Sequence, residues 1–333
     1  MSELELRRTL DGATAPMALA IGNFDGVHLG HQAILSATIA AAKKQALTPA
    51  AMSFEPMPRE FFARARKDAG IPQPRLMSVS EKLAAFSQAG IQRAFIPRFD
   101  AGFAAQSPEE FIGSLVRMQV RWLMVGDDFR FGARRAGDVA TLRAAGELHG
   151  FSVETMTDIV ANNERISSTA IRNALAQGDL AAARRMLGAV YAIVGRVTHG
   201  RKLGRTLGFP TANVSLGCGA RSRKPALSGV FAVRCRLVTR GLEGVASRDG
   251  TILNGVANLG TNPVVSSENR HHLEVFLFDF SGDLYGRRLE VAFIEKIRDE
   301  QKFASLDVLV SQMHDDVARA KTILRTIDDG TEN

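Results

Sequence analysis

Between Gly22 and His31 the chain reads GNFDGVHLGH, two histidines three residues apart among glycines, after an apolar stretch and before an alanine-rich one. At this spacing, on an opening helical turn, His28 and His31 can face the same bound anion. The first turn of a helix leaves backbone N–H groups unpaired and carries the positive end of the dipole, so the junction suits phosphate. Gly26 and Gly30 let the backbone come close to a ligand. Taken alone, the pair could equally be half of a metal site or polar residues at a helix start.

Three further clusters carry chemistry. Val125 to Gly132, VGDDFRFG, closes an apolar strand-like run with two carboxylates, where a solvated acidic turn would read the same. Arg165 to Arg172, RISSTAIR, places hydroxyls at a helix start between two arginines, a combination that suits a polyphosphate and also resembles an ordinary cap. Gly195 to Asn213, GRVTHGRKLGRTLGFPTAN, is a basic glycine-rich segment able to wrap phosphates with backbone N–H groups, although such composition often marks a plain loop. Thr211 and Asn213 offer neutral oxygens two residues apart, on one side of an extended segment.

The elements that must position these clusters follow from periodicity. MALAIGNF, AAMSF, QRAFIPRF, WLMVGDDF and FSVETM alternate with helical stretches such as HQAILSATIAAAKKQA, EKLAAFSQAG and ATLRAAGELHG. This rhythm predicts a parallel sheet flanked by helices, an α/β domain over residues 1–187. Two helices are expected in STAIRNALAQGDLAAARRMLG, broken at Gly178-Asp179 and stopped at Gly188, with a linker near 187–192. Beyond it YAIVGRVTHG, GVFAVRCRLVTR, TILNGVANLG, HHLEVFLFDF and RRLEVAFIEKI are short and alternating, which predicts a small antiparallel β-barrel over 188–333 with a terminal helix from Ser305 to Ile327.

Composition narrows the function classes. The 333 residues exceed what one hydrophobic core usually serves, and 45% hydrophobic with 23% charged is ordinary for a folded chain. No stretch approaches the roughly 20 apolar residues of a membrane helix, and MSELELRRTLDG lacks a signal-peptide core, so a cytoplasmic protein with no membrane partner is expected. Cys218 and Cys235 have neither zinc-site spacing nor a disulfide framework. The formal net charge of +7 suits a nucleic-acid binder or an enzyme of polyanionic phosphates; scattered cations and 7% aromatics favour the second, and no nucleic-acid partner is expected.

The HxGH pattern after a first strand resembles the nucleotidyltransferase signature, and GNFDGVHLGHQ resembles the bacterial FMN adenylyltransferase module. RISSTAIR is similar to that module's nucleotide-closing element, and GRTLGFPTAN to the riboflavin kinase signature. The chain from about Ala18 to Asp316 therefore resembles the bifunctional bacterial riboflavin kinase / FMN adenylyltransferase (FAD synthetase) family. That resemblance implies a nucleotidyltransferase-like, Rossmann-like first domain and a kinase barrel, acting on riboflavin, FMN and ATP with Mg2+. It implies catalytic roles for His28, His31, Arg172 and Glu274. It puts nucleotide contacts at Gly22, Asn23, Phe24, Asp25, Gly30, Gly126, Asp128, Phe129, Arg165, Ser168, Thr169, Gly200, Lys202 and Gly208. Thr211 and Asn213 become the metal ligands, and Arg298 the flavin contact. An exposed strand Glu paired with an Arg is the other reading of Glu274. Asp128 stands where the family often has Asn, Asn262-Pro263-Val264 replaces the usual Pro-Thr-Phe run, and Ala189-Val190 replaces an Arg-Pro.

Overall fold

The computed structural model describes residues 4–11, 15–65, 73–157, 160–161, 164–200, 207–217, 224–240, 246–248, 250–261 and 271–329. Contacts divide the chain into two compact units, Met1–Gln73 with Met77–Ser167, and Pro74–Leu76 with Ser168–Asn333.

The first unit is built on six strands, β1 (Glu5–Arg7), β2 (Met17–Ile21), β3 (Thr48–Met52), β4 (Arg93–Phe95), β5 (Val120–Gly126) and β6 (Ser152–Met156). They form one sheet in the order β1-β4-β3-β2-β5-β6, every pair parallel, and a separate antiparallel pair, β7 (Val160–Ala161) with β8 (Glu164–Arg165), follows. Alternation in MALAI explains the layering. Leu19 and Ile21 enter one core with Met52, Phe95, Leu123 and Val125, while Ala18 and Ala20 enter the other with Leu35, Phe86 and Trp122. Burial on both faces is what a parallel sheet covered by helices requires.

The helices here are α1 (Leu29–Lys44), α2 (Pro58–Ala65), α3 (Val79–Ala89), α4 (Ala101–Ala105), α5 (Pro108–Arg117) and α6 (Val139–His149). Local sequence sets their limits. Ser78 and Glu81 form a capping box at the start of α3, and Gly90 ends it in the left-handed conformation. Lys43 and Lys44 close α1, where cations oppose the negative end of the dipole.

The second unit begins with α7 (Ser168–Gln177) and α8 (Leu180–Leu187), which pack on each other. Sequence places these helices with the first domain, whereas contacts group them with the barrel. Asp179 caps α8 through its side chain, and Gly188 closes it at φ 73°. The Ala189-Val190 departure lies in the turn that follows. The strands are β9 (Ala192–Thr198), β10 (Thr211–Val214), β11 (Gly229–Arg240), β12 (Ala246–Arg248), β13 (Leu253–Thr261), β14 (His271–Leu277) and β15 (Arg288–Arg298). β11 pairs with both β13 and β15, so β11-β13-β14-β10-β9-β15 closes on itself as a six-stranded antiparallel barrel. The short β12 extends β11 alone.

Along β14, Leu273, Val275 and Leu277 are buried, while Glu274 and Phe276 point to the opposite face. There Phe276 joins Val230, Ala232, Phe278 and Ile297 beneath Ala320 and Leu324 of the terminal helix α9 (Leu306–Asp329). Burying each large side chain in such a cluster contributes about 1.5–3 kcal/mol.

Candidate functional sites

In the first unit the sheet's strand order reverses between β2 and β5, and open parallel sheets bind ligands beyond the carboxyl ends of strands at such a point. Both chemistry-bearing segments leave from there, GNFDGVHLGH from β2 and GDDF from β5.

The turn after β2 is tightly wound, with positive φ at Phe24 (46°), Gly26 (92°) and Val27 (39°). His28 is the N-cap of α1, its Nδ1 accepting from the His31 N–H at 3.3 Å. An accepting Nδ1 carries no proton, so a neutral His28 has its proton on Nε2. The His28 and His31 rings stack with centroids 3.7 Å apart and planes 18° from parallel. Phe24 packs on His31 at 5.1 Å and edge-on to Phe86 at 5.2 Å. Burial, with the adjacent His28 and Lys82, holds the His31 imidazole well below the usual histidine range, and its Nδ1 has no hydrogen-bond partner among the described residues.

A Cβ at Gly22 would sit 3.2 Å from the Phe24 ring, and one at Gly30 3.2 Å from the His28 ring. Asn23 is exposed, but its carbonyl accepts from Lys82 Nζ at 2.7 Å and from the Ser53 hydroxyl at 3.0 Å. Asp25 is buried at 1% exposure and accepts from Arg59 Nη2 at 2.6 Å and the Met77 N–H at 3.3 Å. Its carboxylate is committed inside the protein. Beyond β5, Gly126 accepts from the Phe129 N–H at 3.1 Å, Asp128 is exposed, and Phe129 stacks on Phe131 at 5.8 Å.

Arg165, near the end of the first unit, is exposed; in the second unit Ser168 opens α7 and Thr169 is exposed. Arg172 is buried and its Nε donates to the Pro74 carbonyl at 2.7 Å.

The barrel brings its own polar residues into one row. Asn213 on β10 pairs with Thr198 on β9 and with Glu274 on β14, and Glu274 pairs with Asn258 on β13. Asn258 faces Val230 on β11, which in turn faces Arg298 on β15. Thr211, two residues before Asn213, pairs with Phe276. Gly200 lies so close that a Cβ there would overlap the Asn213 carboxamide. Gly208 sits at φ 83° with open space around it, and the next residue, Phe209, packs edge-on against Phe276 and His314 at 5.3 and 4.9 Å. Arg298 grips the buried Asp316 of α9 with two nitrogens, at 2.9 and 2.7 Å, and its guanidinium covers Phe303 at 5.5 Å. Lys202 and the Asn262-Pro263-Val264 departure lie outside the described residues.

Residues 11–170 match the family model described as FAD synthetase, and residues 187–324 match that described as riboflavin kinase. The chain is 43% identical over 311 residues to the bifunctional riboflavin kinase/FMN adenylyltransferase of Haemophilus influenzae, covering 93% of this chain and 94% of that one. It belongs to the bifunctional riboflavin kinase/FMN adenylyltransferase family.

The Escherichia coli K12 member is 44% identical over 305 residues, 91% of either chain. A crystal structure from Streptococcus pneumoniae, titled a macrolide-efflux protein, superposes with a TM-score of 0.75 at 26% identity, covering 93% of this chain and 96% of that one. Among the described residues, no helix is long and apolar enough to cross a membrane. In this family member the histidine pair and the β10–β14 row fall in the segments matched by the first and second models respectively.

Sequence reasoning missed Lys82, Ser53, Arg59 and Asn258. Asn258 stands in GVANLG, inside a recognised strand, yet nothing local marks it as the neighbour of Glu274. Lys82 lies in a helix start, EKLAAF, where a lysine reads as solvated surface.

Proposed function

We propose that the chain makes both flavin cofactors: the barrel transfers the γ-phosphoryl group of ATP to the 5′-hydroxyl of riboflavin, giving FMN and ADP, and the first domain joins FMN to AMP from a second ATP. In that second step an FMN phosphate oxygen attacks the α-phosphorus of ATP and pyrophosphate leaves. The observation that carries the reading is the pair of centres, a histidine-capped helix start at a parallel-sheet switch point and a carboxylate–carboxamide row on a closed barrel.

For adenylyl transfer the nucleophile is already anionic, so alignment and charge neutralisation carry the catalysis. His28 donates from Nε2, His31 from the nitrogen left to it, and the first N–H groups of α1 complete an anion site for the polyphosphate. Phe24 holds His31 in place, while Gly22 and Gly30 keep the approach clear. Asn23 and Asp25 serve the nucleotide by fixing the turn, and Gly126, Asp128 and Phe129 line the same end of the sheet. For Arg165, Ser168, Thr169 and Arg172 the assignment to nucleotide phosphates rests on their residue types and on the sequence string.

For phosphoryl transfer Glu274 takes the proton of the riboflavin hydroxyl. Phe276, two residues on and on the same face of β14, lines the strand beside it. Thr211 and Asn213 present neutral hard oxygens from one side of β10, a donor set that fits Mg2+ keeping its remaining positions for water and phosphate. When bound there, Mg2+ would neutralise charge on the nucleotide phosphates. Gly200, Lys202 and Gly208 belong to the ATP loop, and Arg298, fixed by Asp316 beside Phe303, to the flavin end of the row.

A functional boundary at 187/188 and a cytoplasmic setting without nucleic-acid partners complete the reading. The test supplies the two half-reactions separately. Riboflavin with ATP should release ADP and no pyrophosphate at first, and FMN with ATP should release pyrophosphate and no ADP. ADP release from FMN, or adenylylation of another phosphorylated acceptor in preference to FMN, would contradict it.

A further inference from the structure

We infer that Lys82 is a positioning residue of the adenylyl-transfer centre, its ammonium group fixing the turn that aims His28, His31 and the first turn of α1 at the nucleotide. The inference rests on the adenylyltransferase reading above.

Lys82 is only 3% exposed, an unusual place for a lysine. Its Nζ donates to the Asn23 carbonyl at 2.7 Å and to the Ser53 hydroxyl at 2.8 Å, while the same hydroxyl donates to the Asn23 carbonyl at 3.0 Å. A triangle of hydrogen bonds thus ties together the turn after β2, the end of β3 and the first turns of α3. The tie is needed because Phe24 and Val27 occupy left-handed backbone conformations that persist only when the surroundings hold them.

Lys82 holds the near side of this turn, and Asp25, gripped by Arg59 and the Met77 N–H, holds the far side. One helical turn after Lys82, Phe86 supports the Phe24 ring, which packs on His31. Residues 82 and 86 of α3 therefore secure the backbone of residue 23 and the ring of residue 24. The ammonium also acts at a distance. The charged or titratable groups that act on His31 are His28 from the turn and Lys82 from α3, and both oppose its protonation.

Lys82→Met keeps the length of the side chain and removes its donors and charge. In the full-length enzyme it should lower kcat for adenylyl transfer on the order of 30-fold, with KM for FMN within about threefold and riboflavin phosphorylation unchanged. The His31 ring-proton resonance should titrate at higher pH than in the parent. Ser53→Ala, which keeps the charge and removes one leg of the triangle, should lower the same kcat about fivefold without moving the His31 titration.

Adenylyl transfer within about threefold of the parent in folded Lys82→Met, or a loss that only tracks the folded fraction with His31 titrating as before, overturns the role. Should Lys82→Met not fold, an unchanged kcat in Ser53→Ala overturns it instead. A parent enzyme that fails to convert FMN to FAD would defeat the underlying reading and not the part played by Lys82.

Discussion

Asn213 and Glu274 stand opposite each other in the β10–β14 ladder, with Glu274 and Phe276 on one face of β14. This pairing sets the proposed metal ligand and the proposed base side by side on neighbouring strands. Replacing Glu274 by Gln keeps the shape and removes the proton acceptor that the proposed kinase step uses. Riboflavin phosphorylation should fall by roughly 10²–10⁴-fold while conversion of added FMN to FAD continues at the parent rate. Phosphorylation at the parent rate would show that the base lies elsewhere.

His28 and His31 form a stacked pair rather than two independent side chains. Either His28→Ala or His31→Ala should reduce adenylyl transfer about 10²–10³-fold and spare the kinase step, as loss of a fixed donor to developing charge does. Combining them should cost far less than the product of the single effects, because each change also disturbs the other ring. Loss of both activities together would point to misfolding instead.

The lowered His31 value sets a pH dependence of stability. Below the ordinary value of 6.5 the unfolded chain takes up a proton that the folded one resists, so stability falls as pH drops from 6.5 toward the lowered folded value and is level above it. Urea midpoints of the parent and of His31→Gln, compared from about pH 5 to 7.5, should diverge only on the acid side, with the parent losing more. Bound polyphosphate should act in the opposite sense and raise the His31 value.

Gly200 is a position of space rather than of backbone freedom. An alanine there would overlap the Asn213 carboxamide and push it off its place on β10. Gly200→Ala should therefore lower kcat/KM for riboflavin phosphorylation about 100-fold, the scale expected of a displacement near 1 Å, with FMN adenylylation intact. Added divalent metal should recover part of the loss if the defect is at the metal.

Much of this architecture was legible because its elements announce themselves. MALAI, WLMVG and the alanine-rich stretch after His31 carry clean periodicity, and Gly178, Asp179 and Gly188 mark the ends of α7 and α8 where the structure has them. β1 escaped notice because a three-residue edge strand reading ELR has no apolar run, its Glu5 being tied instead to Arg93 of β4 at 2.6 Å. The packing of α7 and α8 with the barrel was equally hidden, since the linker signal at Gly188 says where a helix stops and not what it packs against. In the sites, residue types and local order singled out His28 and His31, whose rings stack, and Thr211 and Asn213, which share one side of β10. They could not give Lys82, Ser53 or Asn258, whose importance comes from contacts across 29 to 59 residues, or from a neighbour on another strand.

The most direct test of the account is a time course of the purified full-length protein with riboflavin, ATP and Mg2+, with riboflavin, FMN and FAD separated and quantified at each point. FMN should rise first and then decline as FAD accumulates. Riboflavin left untouched while added FMN still becomes FAD would contradict the assignment of the barrel, and FMN accumulating without FAD would contradict that of the histidine pair.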